Sequence, residues 1–170
     1  MKKNIVLTGF MGTGKTAVGR ELGRILQMRL VDVDAEIEKD RQMSINEIFS
    51  GSGEQHFREI ETAMIRRLAG QGNLIISTGG GAVLREENME ALRENGMIFC
   101  LTARPETILR RTSGNNDRPL LKVEDPMARI RELLAYRMPF YEKAGMMIDT
   151  EDKTPLQVAE EIAEMFRCAR

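Results

Sequence analysis

Several residue types are scarce in this chain, and each scarcity removes a class of function. Only two of its 170 residues are cysteine, Cys100 and Cys168, and they build no metal-binding or redox motif. Cys100 lies in an apolar run, the ordinary setting of a buried, reduced thiol. Tryptophan is absent and His56 is the only histidine. With no orienting partner beside it in sequence, His56 reads as a surface residue rather than a catalytic base. Net charge is −1 with a pI near 6.0, so there is no electrostatic footprint for nucleic acid or a membrane surface, and a monomer is expected. No apolar run reaches transmembrane length. Met1-Lys2-Lys3 and the apolar residues after it superficially match a secretory leader, but Lys15 interrupts the stretch, and a cytoplasmic location is expected. No NKxD guanine motif is present, which argues against a GTPase switch. No repeat, low-complexity tract or linker divides the chain, so residues 1–170 are expected to form one domain.

What is present is more telling. Gly9-Phe10-Met11-Gly12-Thr13-Gly14-Lys15-Thr16 matches the P-loop pattern GxxxxGK[ST] and follows a short apolar strand candidate. Glycines let backbone N–H groups wrap an anion, the following helix presents its positive end, and Lys15 adds a point charge. Thr16 offers a hydroxyl to Mg²⁺. The pattern therefore predicts a nucleoside triphosphate site over 9–16. A plain glycine-rich capping turn needs neither the lysine nor the hydroxyl at those offsets.

Short apolar runs alternate with longer amphipathic stretches, the pattern of a parallel sheet wrapped by helices in an α/β fold. Five strands are predicted at 4–8, 29–33, 74–77, 97–101 and 146–149, and helices at 15–26, 44–49, 53–69, 87–94, 105–112, 126–142 and 154–166. Pro105, Pro126 and Pro155 suit first-turn positions. Residues 112–124 are poor in apolar side chains and rich in loop formers, and they read as a mobile lid or as a solvated connector. The twelve methionines, Met138, Met146 and Met147 among them, read as core filling.

Ligands of parallel sheets bind at the carboxyl ends of the strands. There the sequence places the P-loop, then Asp32-Val33-Asp34, then Gly79-Gly80-Gly81. Asp32 and Asp34 alternate along the predicted strand end, so one suits a metal beside Thr16 and the other a second substrate. Asp34 equally suits the N-cap of a helix beginning at Ala35. Three successive glycines imply close approach to the backbone, by a substrate received on N–H groups or simply in a tight turn. Ser77 stands where an acidic metal-binding residue is common and suits a metal-bound water. Arginine outnumbers lysine 18 to 7, and forked guanidinium groups suit phosphates and carboxylates. Arg58, Arg111, Arg118 and Arg137 stand out by position, although Arg137 and Tyr141, four residues apart, equally suit a packing pair.

Together these clusters resemble the shikimate kinase family, small P-loop enzymes of aromatic amino-acid biosynthesis, over nearly the whole chain. The resemblance rests on the P-loop, Asp32-Val33-Asp34, Phe57-Arg58-x-x-Glu61, Gly79-Gly80-Gly81, Arg118-Pro119-Leu120-Leu121 and Arg137-x-x-x-Tyr141. It implies a three-layer α/β/α P-loop NTPase fold of the nucleoside-monophosphate-kinase type, with a five-stranded parallel sheet, a substrate-binding region over about 33–61 and a mobile lid over about 112–124. It also implies transfer of phosphate from ATP, with Mg²⁺, to the 3-hydroxyl of shikimate. By the same resemblance Asp34 binds and orients the attacked hydroxyl. Arg58, Arg137 and the backbone of Gly79, Gly80 and Gly81 hold the substrate, Glu61 holds Arg58, and Phe57 with Phe49 lines the apolar side or serves the core. Gly12, Thr13, Gly14, Lys15, Thr16 and Ala17 hold the phosphates. Thr16 ligates the metal, with Asp32 and Ser77 acting through metal-bound waters. Arg111 and Pro155 enclose the adenine, and Arg118 enters on the lid to neutralise developing charge. The alternatives are another small-metabolite P-loop kinase, such as a gluconate or nucleoside monophosphate kinase, or a non-catalytic nucleotide-binding homologue.

Overall fold

In the central strand β1 (Asn4–Gly9) every residue is buried, and successive side chains feed opposite cores. Ile5 and Leu7 enter one and Val6 the other, because neighbouring residues of a strand point to opposite faces. A strand covered on both faces is the reason the apolar run is continuous rather than alternating. The computed structural model describes residues 3–113 and 121–169.

After β1 come α1 (Lys15–Leu26), β2 (Arg29–Asp32), α2 (Val33–Arg41), α3 (Ile45–Ala69) and β3 (Leu74–Ser77). A 3₁₀ turn (Ala82–Leu84) leads into α4 (Glu86–Asn95), followed by β4 (Gly96–Thr102), α5 (Pro105–Thr112), α6 (Pro126–Ala144), β5 (Met146–Asp149) and α7 (Pro155–Cys168). The five strands are parallel, in the order β2-β3-β1-β4-β5. Helices α1 and α7 pack Val18, Leu22, Ile162 and Phe166 against one face of the sheet. Helices α3, α4 and α6 pack Met64, Ile65, Leu92 and Ile130 against the other, giving three layers. Pro105, Pro126 and Pro155 each open a helix, where a missing N–H costs nothing.

One local departure from the expected pattern bears on function. Strand β2 stops at Asp32, whose Oδ1 accepts the Ala35 N–H at 3.1 Å and caps α2. Asp34 therefore sits in the first helical turn and is not the cap, and the two aspartates do not alternate along a strand. The carboxylate of Asp32 satisfies an otherwise orphaned helix amide, and that starts the helix early. Within α3, Gly53 has non-helical backbone angles (φ 80°, ψ 170°) and divides it into two helical segments, in keeping with the helices expected at 44–49 and 53–69. A capping box of Ser44 and Glu47 starts α3.

Met146 and Met147 are exposed rather than core residues, because β5 is an edge strand and only Ile148 of its three apolar residues is buried. His56 lies exposed near Glu59, Cys100 is buried and Cys168 is exposed. No helix among the described residues is long and apolar enough to cross a membrane.

Topology places the site. β1 leads into α1 on one face of the sheet, while its neighbour β3 leads into α4 on the other. The chain thus parts at the carboxyl ends of β1 and β3 and opens a crevice there.

Candidate active site

The crevice is a cavity of about 470 Å³, and the P-loop forms one of its walls. Gly12 (φ 78°) and Gly14 (φ 96°) take left-handed backbone angles that L side chains rarely adopt, which turns the loop sharply into α1. Among the described α-helices, α1 alone has neither a capping side chain nor an acidic residue in its first turn. The positive end of that helix faces a cavity lined by Gly14, Lys15, Thr16 and Ala17, so an anion supplied from outside satisfies it. The Lys15 ammonium is already held at the loop, donating to the carbonyls of Gly9 (2.8 Å) and Phe10 (3.0 Å). Thr13 lies behind the loop instead of in the cavity, its hydroxyl donating to the Phe10 carbonyl at 2.7 Å.

Across the cavity the glycine triplet collects charge from three helices. A Cβ on Gly79 would lie 3.3 Å from Asp34 Oδ1 and 3.3 Å from Glu61 Oε1. One on Gly80 would lie 3.1 Å from Arg137 Nη1 and 3.4 Å from the Tyr141 hydroxyl, and one on Gly81 would overlap the Arg58 guanidinium. None of the three glycines has a positive φ. At Gly81 the Arg58 guanidinium leaves no room for a Cβ, and at Gly79 and Gly80 a Cβ would press on charged side chains that would have to give by a few tenths of an ångström. That accounts for the close approach the triplet implies in the sequence.

Arg58 donates to Glu61 Oε2 at 2.8 Å and to the exposed Glu54 at 3.3 Å, and its guanidinium lies over the Phe57 ring. The Phe57 ring is buried, while Phe49, 4.7 Å away between centroids, is 36% exposed and faces the cavity with it. Arg137 is buried beside the Phe10 ring, with its Nε unpartnered. Asp34 Oδ1 and Glu61 Oε1 are likewise buried without a hydrogen-bond partner. Unpartnered buried polar atoms are costly, and here three of them belong to side chains lining one cavity, the signature of a site built for a polar ligand. Burial, then the Glu61 and Asp32 carboxylates, push the Asp34 pKa up to about 7 against the pull of Lys15 and Arg58. Burial also raises Glu61, and the Arg58 guanidinium opposes it.

Asp32 and Ser77 are paired across β2 and β3 and stand level at the cavity rim, and Thr16 lines the same cavity. Hydroxyl and carboxylate oxygens of this kind suit Mg²⁺. Arg111 bridges the Gly12 carbonyl and the Thr150 hydroxyl, both at 3.3 Å, and lines the cavity from the nucleotide side. Pro155 is exposed at the start of α7 and is not among the residues that line the cavity. Arg118 and the interior of the expected lid lie outside the described residues. The cavity also takes in Met11, Ile45 and Thr78. Thr78 follows directly from the strand-end rule, whereas nothing in the sequence distinguishes Met11 or Ile45 from ordinary apolar positions.

A family model described as "Shikimate kinase" matches residues 11–167. The chain is 52% identical over 164 residues to a shikimate kinase of Thermodesulfovibrio yellowstonii, covering 96% of this chain and 95% of that one. It is 51% identical to a shikimate kinase of Caldanaerobacter subterraneus subsp. tengcongensis, with 96% of each covered. The structure is similar to that of a shikimate kinase from Acinetobacter baumannii in complex with shikimate (TM-score 0.94, 36% identity), covering 100% of this chain and 96% of that chain.

The raised pKa of Asp34 has a consequence for stability. Its folded-state value of about 7 stands above the ordinary 3.8, so the folded protein holds this proton more tightly than the unfolded chain. The resulting stabilisation is full below about pH 4 and is lost as pH rises through about 7. A shift of this size corresponds to at most roughly 4 kcal/mol. Asp34→Asn removes the ionisation, so the stability of the wild type relative to the variant is expected to fall by roughly 3–4 kcal/mol between pH 4 and pH 8 in urea denaturation. A difference independent of pH would mean that Asp34 titrates normally.

Proposed function

The chain belongs to the shikimate kinase family, and from that premise we propose how its own residues divide the ATP-dependent phosphorylation of shikimate among them. The observation that carries the reading is the convergence of Asp34, Glu61, Arg58 and Arg137 on Gly79–Gly81, in the same cavity as the P-loop. One wall presents an acid and two guanidinium groups to a small polar carboxylate. The other presents a lysine and a bare helix terminus to phosphates.

Arg58 and Arg137 clamp the carboxylate of shikimate, for which forked guanidinium groups are geometrically suited. Glu61, at 2.8 Å, fixes the orientation of Arg58. The Phe57 and Phe49 rings cover the apolar face of the substrate ring. Held this way, the 3-hydroxyl faces Asp34, which accepts its proton as the oxygen attacks. A P–O bond forms between that oxygen and the γ-phosphorus of ATP, the bond from the γ-phosphorus to the β,γ-bridging oxygen breaks, and ADP leaves. A base with a pKa near 7 is well matched to proton transfer at neutral pH.

Lys15 and the backbone of Gly12, Gly14, Thr16 and Ala17 hold the phosphates, with Thr13 bracing the loop from behind through Phe10. Thr16 would hold Mg²⁺, and Asp32 and Ser77 would act on it through water. When bound, Mg²⁺ neutralises charge on the transferring phosphate. Arg111 stacks on the adenine, with Pro155 on its other side. Arg118 neutralises developing charge from the lid, a role that rests on the family resemblance. Residues 33–61 form the substrate-binding part of a single domain. A cytoplasmic monomer is the expected form, and the near-neutral net charge carries no footprint of nucleic-acid or membrane partners.

The experiment that tests the function is ADP release from Mg-ATP with shikimate, with gluconate and with neither. Stimulation by shikimate alone is expected, whereas faster turnover of gluconate would overturn the substrate assignment. For the wild type, kcat/KM for shikimate should rise with pH to a plateau above about 7, following one ionisation. Asp34→Asn should abolish that limb and lower kcat about 10²–10⁴-fold with ATP binding nearly intact. Arg58→Lys should mainly raise the shikimate KM, since an ammonium cannot replace the fork. Gly81→Ala, which pushes Arg58 aside, should reproduce that effect and also lower thermal stability, because it loosens the Arg58–Glu61 pair. An effect of either variant confined to the ATP KM would contradict the role of Arg58.

A further inference from the structure

Tyr141 takes no part in the chemistry above, yet it is among the largest fully buried side chains of the protein, at 2% exposure. It stands behind the glycine triplet, outside the wall of the main cavity, among Phe10, Leu101 and Met138. Its hydroxyl donates to the Gly80 carbonyl at 2.8 Å. The same hydroxyl and Arg137 Nη1 approach Gly80 from one side, 3.4 Å and 3.1 Å from where its Cβ would lie. Both residues are on α6, one turn apart, so one helix face delivers the phenol and the guanidinium together. Burial raises the phenol pKa to about 12 against the opposing influence of Arg137, so the group is a neutral hydroxyl at any working pH.

Two consequences follow from elementary geometry. In a trans peptide the C=O and the following N–H point in opposite directions. Among the described residues every peptide bond is trans, so drawing the Gly80 carbonyl toward Tyr141 turns the Gly81 N–H away from it, toward the side where Gly81 lines the cavity. The phenol donates its single hydrogen to Gly80, so only its oxygen lone pairs remain to face Arg137, and they orient that guanidinium as an acceptor would.

We propose that Tyr141 is a positioning residue for carboxylate recognition, one hydroxyl setting both the Gly81 N–H and the Arg137 guanidinium that receive the substrate. This inference rests on the reading of Arg137 given above. Glycine itself imposes little on the direction of a peptide plane, and Arg137 has an unpartnered Nε. Without the hydroxyl, among the described residues the Gly80–Gly81 peptide keeps only the turn bond from the Ala82 N–H to the Gly79 carbonyl, and Arg137 keeps its packing on Phe10.

Tyr141→Phe removes one oxygen and keeps the ring. It is expected to raise the shikimate KM about tenfold, the loss of roughly one buried hydrogen bond, while the ATP KM stays unchanged and kcat changes less than about threefold. In an Arg137→Lys background the same change should raise the shikimate KM by less than about threefold, because the two groups act as a unit. An unchanged shikimate KM, equal rises in both KM values, or full multiplicativity with Arg137→Lys would overturn the proposal. Failure of Arg137→Lys itself to raise the shikimate KM would instead bring down the clamp reading, and this inference with it.

A second measurement needs no change at Tyr141. The chain has no tryptophan and only two tyrosines, so Tyr136→Phe leaves Tyr141 as the sole tyrosine chromophore. Tyr136 is 62% exposed. Shikimate added to that variant should perturb the near-ultraviolet tyrosine band to saturation, at a concentration matching its KM. A spectrum insensitive to saturating shikimate in an active Tyr136→Phe enzyme would also overturn the proposal.

Discussion

The absence of side chains at Gly79, Gly80 and Gly81 lets charged groups from α2, α3 and α6 converge on one stretch of backbone, and the rest of the site depends on that convergence. Charges are buried in a protein only when they are paired or hydrogen-bonded. Here the pairing is incomplete: Glu61 is fully buried and shares one oxygen with Arg58, while its other oxygen and one oxygen of Asp34 have no partner. A structure selected for stability alone would fill this space with apolar side chains. The arrangement makes sense as an environment whose missing partners are the hydroxyls and carboxylate of a substrate.

The two walls of the cavity differ in how their charge is delivered. On the phosphate side it comes largely from the backbone, through an uncapped helix terminus and a loop turned by glycines, with Lys15 folded onto the loop carbonyls. On the substrate side it comes from side chains packed against glycines. Backbone dipoles suit a phosphate chain common to many reactions, and a constellation of side chains suits one particular polyol. The parallel sheet brings both to the carboxyl ends of β1 and β3, where the connecting helices part.

Much of this was legible in the chain itself. The P-loop is a local motif whose function follows from its own backbone, so Gly12 to Thr16 needed no tertiary information. Strand β3 was readable to the residue because a buried parallel strand is a continuous apolar run, and α5 because Pro105 marks its start; the bounds of α1 and β5 were legible as well. The roles of Asp32 and Asp34 were less legible. Both suited a strand end, and only the capping bond from the Ala35 N–H to Asp32 decides that the helix begins at Val33. Met146 and Met147 were misread because edge and central strands look alike in sequence.

The sequence by itself determined the nucleotide-binding loop, the alternating α/β architecture and the residue types at the rim, since each follows from local patterns of glycine, charge and apolar periodicity. Tertiary structure alone decided what the glycine triplet is for. Asp34, Arg58, Glu61, Arg137 and Tyr141 lie between 18 and 62 residues from Gly79 in the chain and meet it only through the sheet order and the packing of α3 and α6 on one face. The pKa of Asp34, the unpartnered oxygens and the hold of Tyr141 on Gly80 all arise from that meeting. Desolvation and close approach are properties of the space between elements, and no local segment carries them.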